Sequence, residues 1–212
     1  MPILNIHNKY KNKSINYNEA EQLLHSIKRN ERFELFIALY HATLKNNPII
    51  AYEVFREAYC SSDNIYAQIE NSPFSFNLKD FLISLQVKNV DFYSLMRENE
   101  KKYYNNLPNC LKIYRGVNEK ESNNKNYGIS WSLSREEAIN YIDFKPNKVD
   151  KGKGKLLTEV INKRDILTVF SVYENMKAPA KNEIIYLKKK NRHKTQIIQC
   201  LFKKFLNWIF SN

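Results

Sequence analysis

The sequence predicts an α+β protein in which helices come first and strands follow, and three observations carry that prediction. Through residue 105, apolar residues recur at three- and four-residue spacing, the period of helices with one buried face. At Leu107-Pro108-Asn109 the pattern breaks. Beyond it, apolar residues fall into short β-branched runs, separated by polar and lysine-rich segments. Helices and strands segregated in this way indicate α+β, not alternating βαβ units. A helical N-terminal region, 1–106, and a second region, 107–212, follow from the break.

After a polar arm, Asn18 with Glu21 three residues on reads as a helix start. Ala20, Leu23, Leu24 and Ile27 supply its apolar face, and an end near Arg29 is expected. Phe33, Phe36, Ile37, Tyr40 and Leu44 mark a second helix, which Asn46-Asn47-Pro48 terminates. Ala51, Phe55, Ala58 and Tyr59 form a third, up to Ser61. Ser62-Asp63 can cap a short helix through Ile69, Asn77 with Asp80 opens one carrying Phe81, Leu82 and Leu85, and Asp91 offers a cap for Phe92 to about Tyr103. The aromatic stripes of these helices read as core.

In the second region Leu111 to Gly116 is a strand, Gly116 allowing a turn or close backbone approach. Asn118 to Asn126 reads as a polar loop and Lys145 to Lys155 as a basic one. Strands are expected over Leu156 to Ile161, Ile166 to Val172 and Ile184 to Leu187. Lys188 to Lys194 leads into an apolar helical stretch, Gln196 to Phe210. Its fifteen residues span about 22 Å, short of the ~30 Å of a bilayer core. That stretch either packs on the domain or lies on a membrane surface behind its basic run.

Between these strands sits the segment around which the region is organised, Tyr127 to Glu137. Ser130 and Ser132 are two apart and share one face of a short strand, with Ile129, Trp131 and Leu133 on the other. Ser134, followed three residues on by Glu137, is a capping box for a helix over Arg135 to Ile142. Taken alone, the Ser-x-Ser pattern fits an edge strand with one wet face. On either side of it, however, stand Leu-Lys-Ile-Tyr-Arg-Gly before and Asn-Glu-Ile-Ile-Tyr-Leu after, each a short strand with a boundary charge, Arg115 and Glu183.

Together the three stretches resemble the Arg–Ser–Glu arrangement of ADP-ribosyltransferases that use nicotinamide adenine dinucleotide (NAD). The resemblance covers about the last hundred residues. It implies a split β-sheet core, NAD as substrate, Arg115 holding the dinucleotide, a Ser130-Trp131-Ser132 strand with Trp where the family has Thr, and Glu183 as the catalytic carboxylate. Ser130 would then bond Glu183 and aim it at the ribose. Ser132 and Gly116 would support the pocket, and Tyr127 and Trp131 would either wall the nicotinamide or belong to the core. More loosely, the whole chain resembles uncharacterised phage and bacterial proteins in which a Ser-Asp-Asn turn, here Ser62-Asp63-Asn64, precedes a Gly-x-Ser-Trp-Ser strand.

The chemistry fits these residue types. Breaking the nicotinamide–ribose bond creates an oxocarbenium-like centre, which a carboxylate such as Glu183 stabilises. A pyrophosphate is oriented best by a planar, multidonor guanidinium such as that of Arg115; otherwise Arg115 is an arginine paired to a carboxylate. Arginine-modifying members of the family carry a second acid two positions before the glutamate. Lys181 stands there, which disfavours arginine as acceptor.

Composition narrows the setting. Only four glycines in 212 residues leave little room for glycine-rich phosphate loops. Three widely spaced cysteines, Cys60, Cys110 and Cys200, do not form a secreted disulfide framework, and the four histidines show no metal-ligand spacing with them, so no metal is expected. No long apolar run suggests a signal peptide or a membrane span, and a cytoplasmic protein is expected. The chain holds 34 Lys+Arg and 22 Asp+Glu. Residues 1–110 contain 13 and 12 of these, leaving 21 and 10 for residues 111–212, a balance of +11. That field attracts an anionic dinucleotide and a macromolecular acceptor, nucleic acid or protein. The expected activity is transfer of ADP-ribose to that acceptor by a toxin or phage-conflict enzyme, which would have a neutralising partner. A hydrolase that passes the ribose to water, or a non-catalytic nucleic-acid-binding module, is the alternative.

Overall fold

The computed structural model describes residues 3–117, 119–124, 128–143, 154–171 and 182–187. The basic stretches Lys145 to Lys153 and Lys188 to Lys194, the Gln196 to Phe210 stretch, Tyr127 and Lys181 lie outside them. The protein is α+β, with helices followed by a five-stranded antiparallel sheet, and it divides into two compact units, Met1–Asp91 and Phe92–Asn212.

The first unit is helical: α1 (Ile3–Tyr10), α2 (Tyr17–His25), α3 (Arg32–Ala42), α4 (Pro48–Ser61), α5 (Ile65–Asn71) and α6 (Leu78–Val87). The expected polar arm is instead α1, because Ile6 and Tyr10 recur at i, i+4 and both are buried. Asn16 takes the cap assigned to Asn18. Its Oδ1 accepts from the Glu19 main-chain N–H at 2.9 Å, so the helix starts two residues earlier, and it ends at His25 instead of Arg29. Pro48 both bars the preceding helix and occupies the first turn of α4, where its missing N–H costs nothing. Phe33, Phe36 and Phe55 are fully buried and meet edge-on or tilted, with Phe76 and Phe81 joining them. Burying each such ring contributes ~1.5–3 kcal/mol.

The Ser62-Asp63-Asn64 turn works inside this unit. Asn64, not Asp63, stands at the start of α5, in the left-handed conformation that Asn tolerates (φ 50°). Asp63 pairs with Arg29 at 3.3 Å. Buried Gln68 donates to the carbonyls of Asp63 and Arg29, while its Oε1 accepts from the main-chain N–H groups of Phe33 at 2.7 Å and Glu34 at 3.2 Å. One amide therefore caps α3 from a distance, where Glu31 at the N-cap position makes no side-chain capping bond.

The second unit begins with a turn from Phe92, and its helix α7 runs Glu98–Asn106, later than the expected Phe92 to Tyr103. The Arg97 N–H donates to Glu100 at 2.8 Å, which sets that start. Five strands follow: β1 (Cys110–Val117), β2 (Ser130–Ser132), β3 (Lys155–Asn162), β4 (Ile166–Ser171) and β5 (Asn182–Tyr186). Their order in the sheet is β3-β1-β2-β5-β4. A short helix α8 (Glu119–Asn124) replaces the expected polar loop, and α9 (Arg135–Asp143) follows the serine strand. Leu111, Ile113, Trp131, Val169, Ile184 and Tyr186 form the core on one side of the sheet. Among the described residues no helix is long and apolar enough to cross a membrane.

Candidate functional site

β2 is only three residues long, yet it holds the centre of the sheet between β1 and β5. Motifs scattered over nearly seventy residues of sequence therefore lie on three neighbouring strands. Tyr114 pairs with Ser132, and Ser132 in turn pairs with Glu183. Directly opposed residues point to the same face, so Tyr114, Ser132 and Glu183 form one cross-strand row. Phe170 on β4 extends it. Ser130 is opposite Ile185, which places it diagonally from Glu183.

The hydroxyl of Ser132 is engaged in ending the strand and starting the helix. It donates to Glu137 Oε2 at 2.7 Å and accepts from the Ser134 main-chain N–H at 2.9 Å. Ser134 Oγ accepts from the Glu137 N–H at 3.2 Å. The expected capping box thus closes through a third residue, Ser132, set between the glutamate and the main chain.

Arg115 is one residue beyond Tyr114 and alternates to the Ile113 side of β1. Only 6% exposed, its guanidinium donates from Nη1 to the Ser130 carbonyl at 2.7 Å and from Nη2 to Glu121 Oε1 at 2.6 Å. The same carboxylate oxygen accepts from the Gly128 N–H at 3.1 Å. Arg115 is therefore an arginine paired with a carboxylate that also fixes the main chain of the serine strand. Glu121 was missed by sequence reasoning, although Asn118 with Glu121 three residues on carries the same helix-start signature used elsewhere in the chain.

Tyr141 on α9 was also missed, and no spacing marks it. The residue is 55% exposed, yet burial is the first cause raising its hydroxyl above the usual tyrosine range. The Arg115 cation pulls the value down, and the Glu121 and Glu183 carboxylates push it up. Arg115, Glu121 and Glu183 are accordingly all within electrostatic reach of one phenol.

The remaining candidates fall elsewhere. Trp131, considered for a nicotinamide wall, is 2% exposed on the core side and meets Tyr186 edge-on at 5.8 Å, because alternation along β2 turns it away from both serines. Gly116 is required by packing: a Cβ there would stand 2.1 Å from the Ala138 carbonyl oxygen and 2.8 Å from Ile142 Cγ1, so the glycine lets α9 rest on β1. Tyr127 lies outside the described residues.

Comparison with models of known protein families, with curated proteins and with solved structures finds no match.

Proposed function

We propose that the second unit is an ADP-ribosyltransferase-like enzyme that cleaves the nicotinamide–ribose bond of NAD and transfers ADP-ribose to a macromolecule. The observation that supports this most is the meeting of the Arg115, Ser130-Trp131-Ser132 and Glu183 motifs on three adjacent strands. In this reading the sheet β3-β1-β2-β5-β4 corresponds to the catalytic core of that class. Glu183 accepts from the ribose and stabilises the positive charge that develops as nicotinamide leaves. Tyr141, beside it, walls the cleft from α9.

Arg115 reaches the pyrophosphate by exchanging the Glu121 carboxylate for a phosphate oxygen. That exchange of anion for anion keeps the buried guanidinium neutralised throughout. The Ser130 carbonyl stays bonded and keeps the serine strand in place. The acceptor is a nucleic acid or a protein. The +11 balance of residues 111–212 favours a polyanion.

Purified protein incubated with NAD should release nicotinamide, and Glu183→Gln should lower the rate by on the order of 10²-fold or more. Equal rates from the two proteins would remove Glu183 from the mechanism, and no release from either would remove the reading. Labelled dinucleotide offered to RNA, DNA and total protein at two salt concentrations identifies the acceptor. Label passing only to water would mean a hydrolase.

A further inference from the structure

Away from the candidate site, the helical unit holds a second cluster of side chains with donor chemistry. Glu21 and His25 are four residues apart on α2 and so share a face. Glu57 comes to them from α4. One ligand atom from each of the three lies within 4.8 Å of both others. His25 Nε2 is 3.2 Å from Glu57 Oε1. The Tyr17 hydroxyl donates to Glu21 Oε1 at 2.9 Å from one turn back.

The burial of these groups is uneven in an informative way. Glu57 is 3% exposed, Glu21 is half-buried and His25 is 47% exposed. Glu57 offers its carboxylate from the protein side and His25 its imidazole from the solvent side. Glu21 brings a second carboxylate to the same place. A divalent cation takes both carboxylates and an imidazole nitrogen as ligands. The exposed edge of His25 leaves the cluster open to an ion arriving from water.

The distances suit such an ion. Two donors at ~2.0–2.2 Å from zinc, at a tetrahedral angle, stand about 3.3 Å apart, close to the 3.2 Å between His25 Nε2 and Glu57 Oε1. All three donor atoms lie within 4.8 Å of one another, a spacing that rotation of a carboxylate between staggered rotamers can narrow. The Tyr17 hydrogen bond is the kind of outer contact that orients a ligating carboxylate. One imidazole and two carboxylates fit a borderline divalent ion such as zinc better than calcium or magnesium, which favour all-oxygen sets.

We propose that Glu21, His25 and Glu57 form a zinc-type divalent cation site linking α2 to α4, with the fourth coordination position open to water. The site is independent of the proposed activity of the second unit.

Zinc chloride titrated calorimetrically into the chelator-treated full chain should show saturable binding of about one ion per chain, and excess zinc should raise the melting temperature. Cobalt(II) in place of zinc should give visible absorption without a thiolate charge-transfer band, which separates this site from cysteine binding. His25→Ala and Glu57→Gln should each weaken binding by about 10- to 100-fold, and Tyr17→Phe by about tenfold. His25 is half exposed, so its variant should fold, as circular dichroism will show; Glu21→Gln serves as a second probe if Glu57→Gln does not fold. Affinity and stoichiometry unchanged in His25→Ala and Glu21→Gln, a thiolate band, or no saturable binding at millimolar zinc would each overturn the site.

Discussion

Arg115 and Glu121 form a tight pair, Nη2 to Oε1 at 2.6 Å, in which the arginine is 6% exposed and the glutamate 21%. The pair ties α8 to β1, and through Gly128 and the Ser130 carbonyl it also ties down the approach to β2. A strand of three residues cannot hold itself in the middle of a sheet by its own ladder, so these side-chain bonds matter to its position. Glu121→Gln keeps the shape and loses the charge, and should cost about 1–3 kcal/mol in denaturant unfolding. If Arg115 also exchanges Glu121 for phosphate, the same variant removes the competing anion and should bind NAD about tenfold more tightly. Weaker binding in the folded variant would mean that the pair itself holds the dinucleotide pocket.

The register separates the two serines. Ser132 is opposite Glu183, but its hydroxyl proton goes to Glu137. Ser132→Ala should therefore act first on stability, by about 1–2 kcal/mol, because the Ser134 N–H and the Glu137 carboxylate both lose a partner. Ser130→Ala should leave stability nearly unchanged and lower the rate of nicotinamide release. Melting curves and initial rates measured on both variants would reverse these assignments if Ser130→Ala were the less stable protein.

Much of the fold is legible in the sequence because it rests on periodicity. The Phe33, Phe36 and Phe55 faces, the segregation of helices from strands and the Ser134 cap all follow local rules. What escapes is long-range. Nothing near Arg32 shows that Gln68, more than thirty residues away, caps α3. Gly116 reads as allowing a turn or a close backbone approach, and the approach is that of the Ala138 carbonyl, a partner that only the packing of α9 reveals. The three motifs could be seen, but their register could not, and register is what sets Glu183 opposite Ser132 and diagonal to Ser130. Tyr141 had no signal at all, since an exposed tyrosine on a polar helix is unremarkable until its neighbours are known.

Gly116→Ala tests the packing of α9 directly. The added methyl meets backbone, the Ala138 oxygen at 2.1 Å, as well as Ile142. Backbone cannot move aside like a flexible side chain, so α9 must shift from β1. A loss of about 1–3 kcal/mol or more in unfolding free energy is expected. Retained stability would mean that α9 moves away easily, and the Ser132–Glu137 bond at its start should then be lost as well.

Gln68→Ala should be among the most damaging changes in the helical unit. It removes the acceptor for the Phe33 and Glu34 N–H groups and the donor for two carbonyls. Leaving buried donors unpaired costs ~1–3 kcal/mol each. Gln68→Glu keeps an acceptor for the N–H groups but cannot donate to Asp63 and Arg29, so it should fall between the wild type and Gln68→Ala when melting temperatures are compared.

The Tyr141 phenol reports the charges of the candidate site without any assay of activity. Its folded value is above 10.0, raised by burial first and then by Glu121 and Glu183, against a lowering by Arg115. Because the folded form holds its proton to higher pH than the unfolded form, any stability gained from the neutral phenol is complete below the unfolded value. It is lost as pH rises through the folded value. Alkaline ultraviolet titration of the wild type minus Tyr141→Phe isolates this one phenol among fourteen tyrosines. The isolated step should lie above the ordinary tyrosine range, move down in Glu183→Gln and in Glu121→Gln, and move up in Arg115→Gln. A step that ignores Glu183→Gln would place that carboxylate away from Tyr141, and would take with it the cleft in which the ribose is proposed to sit.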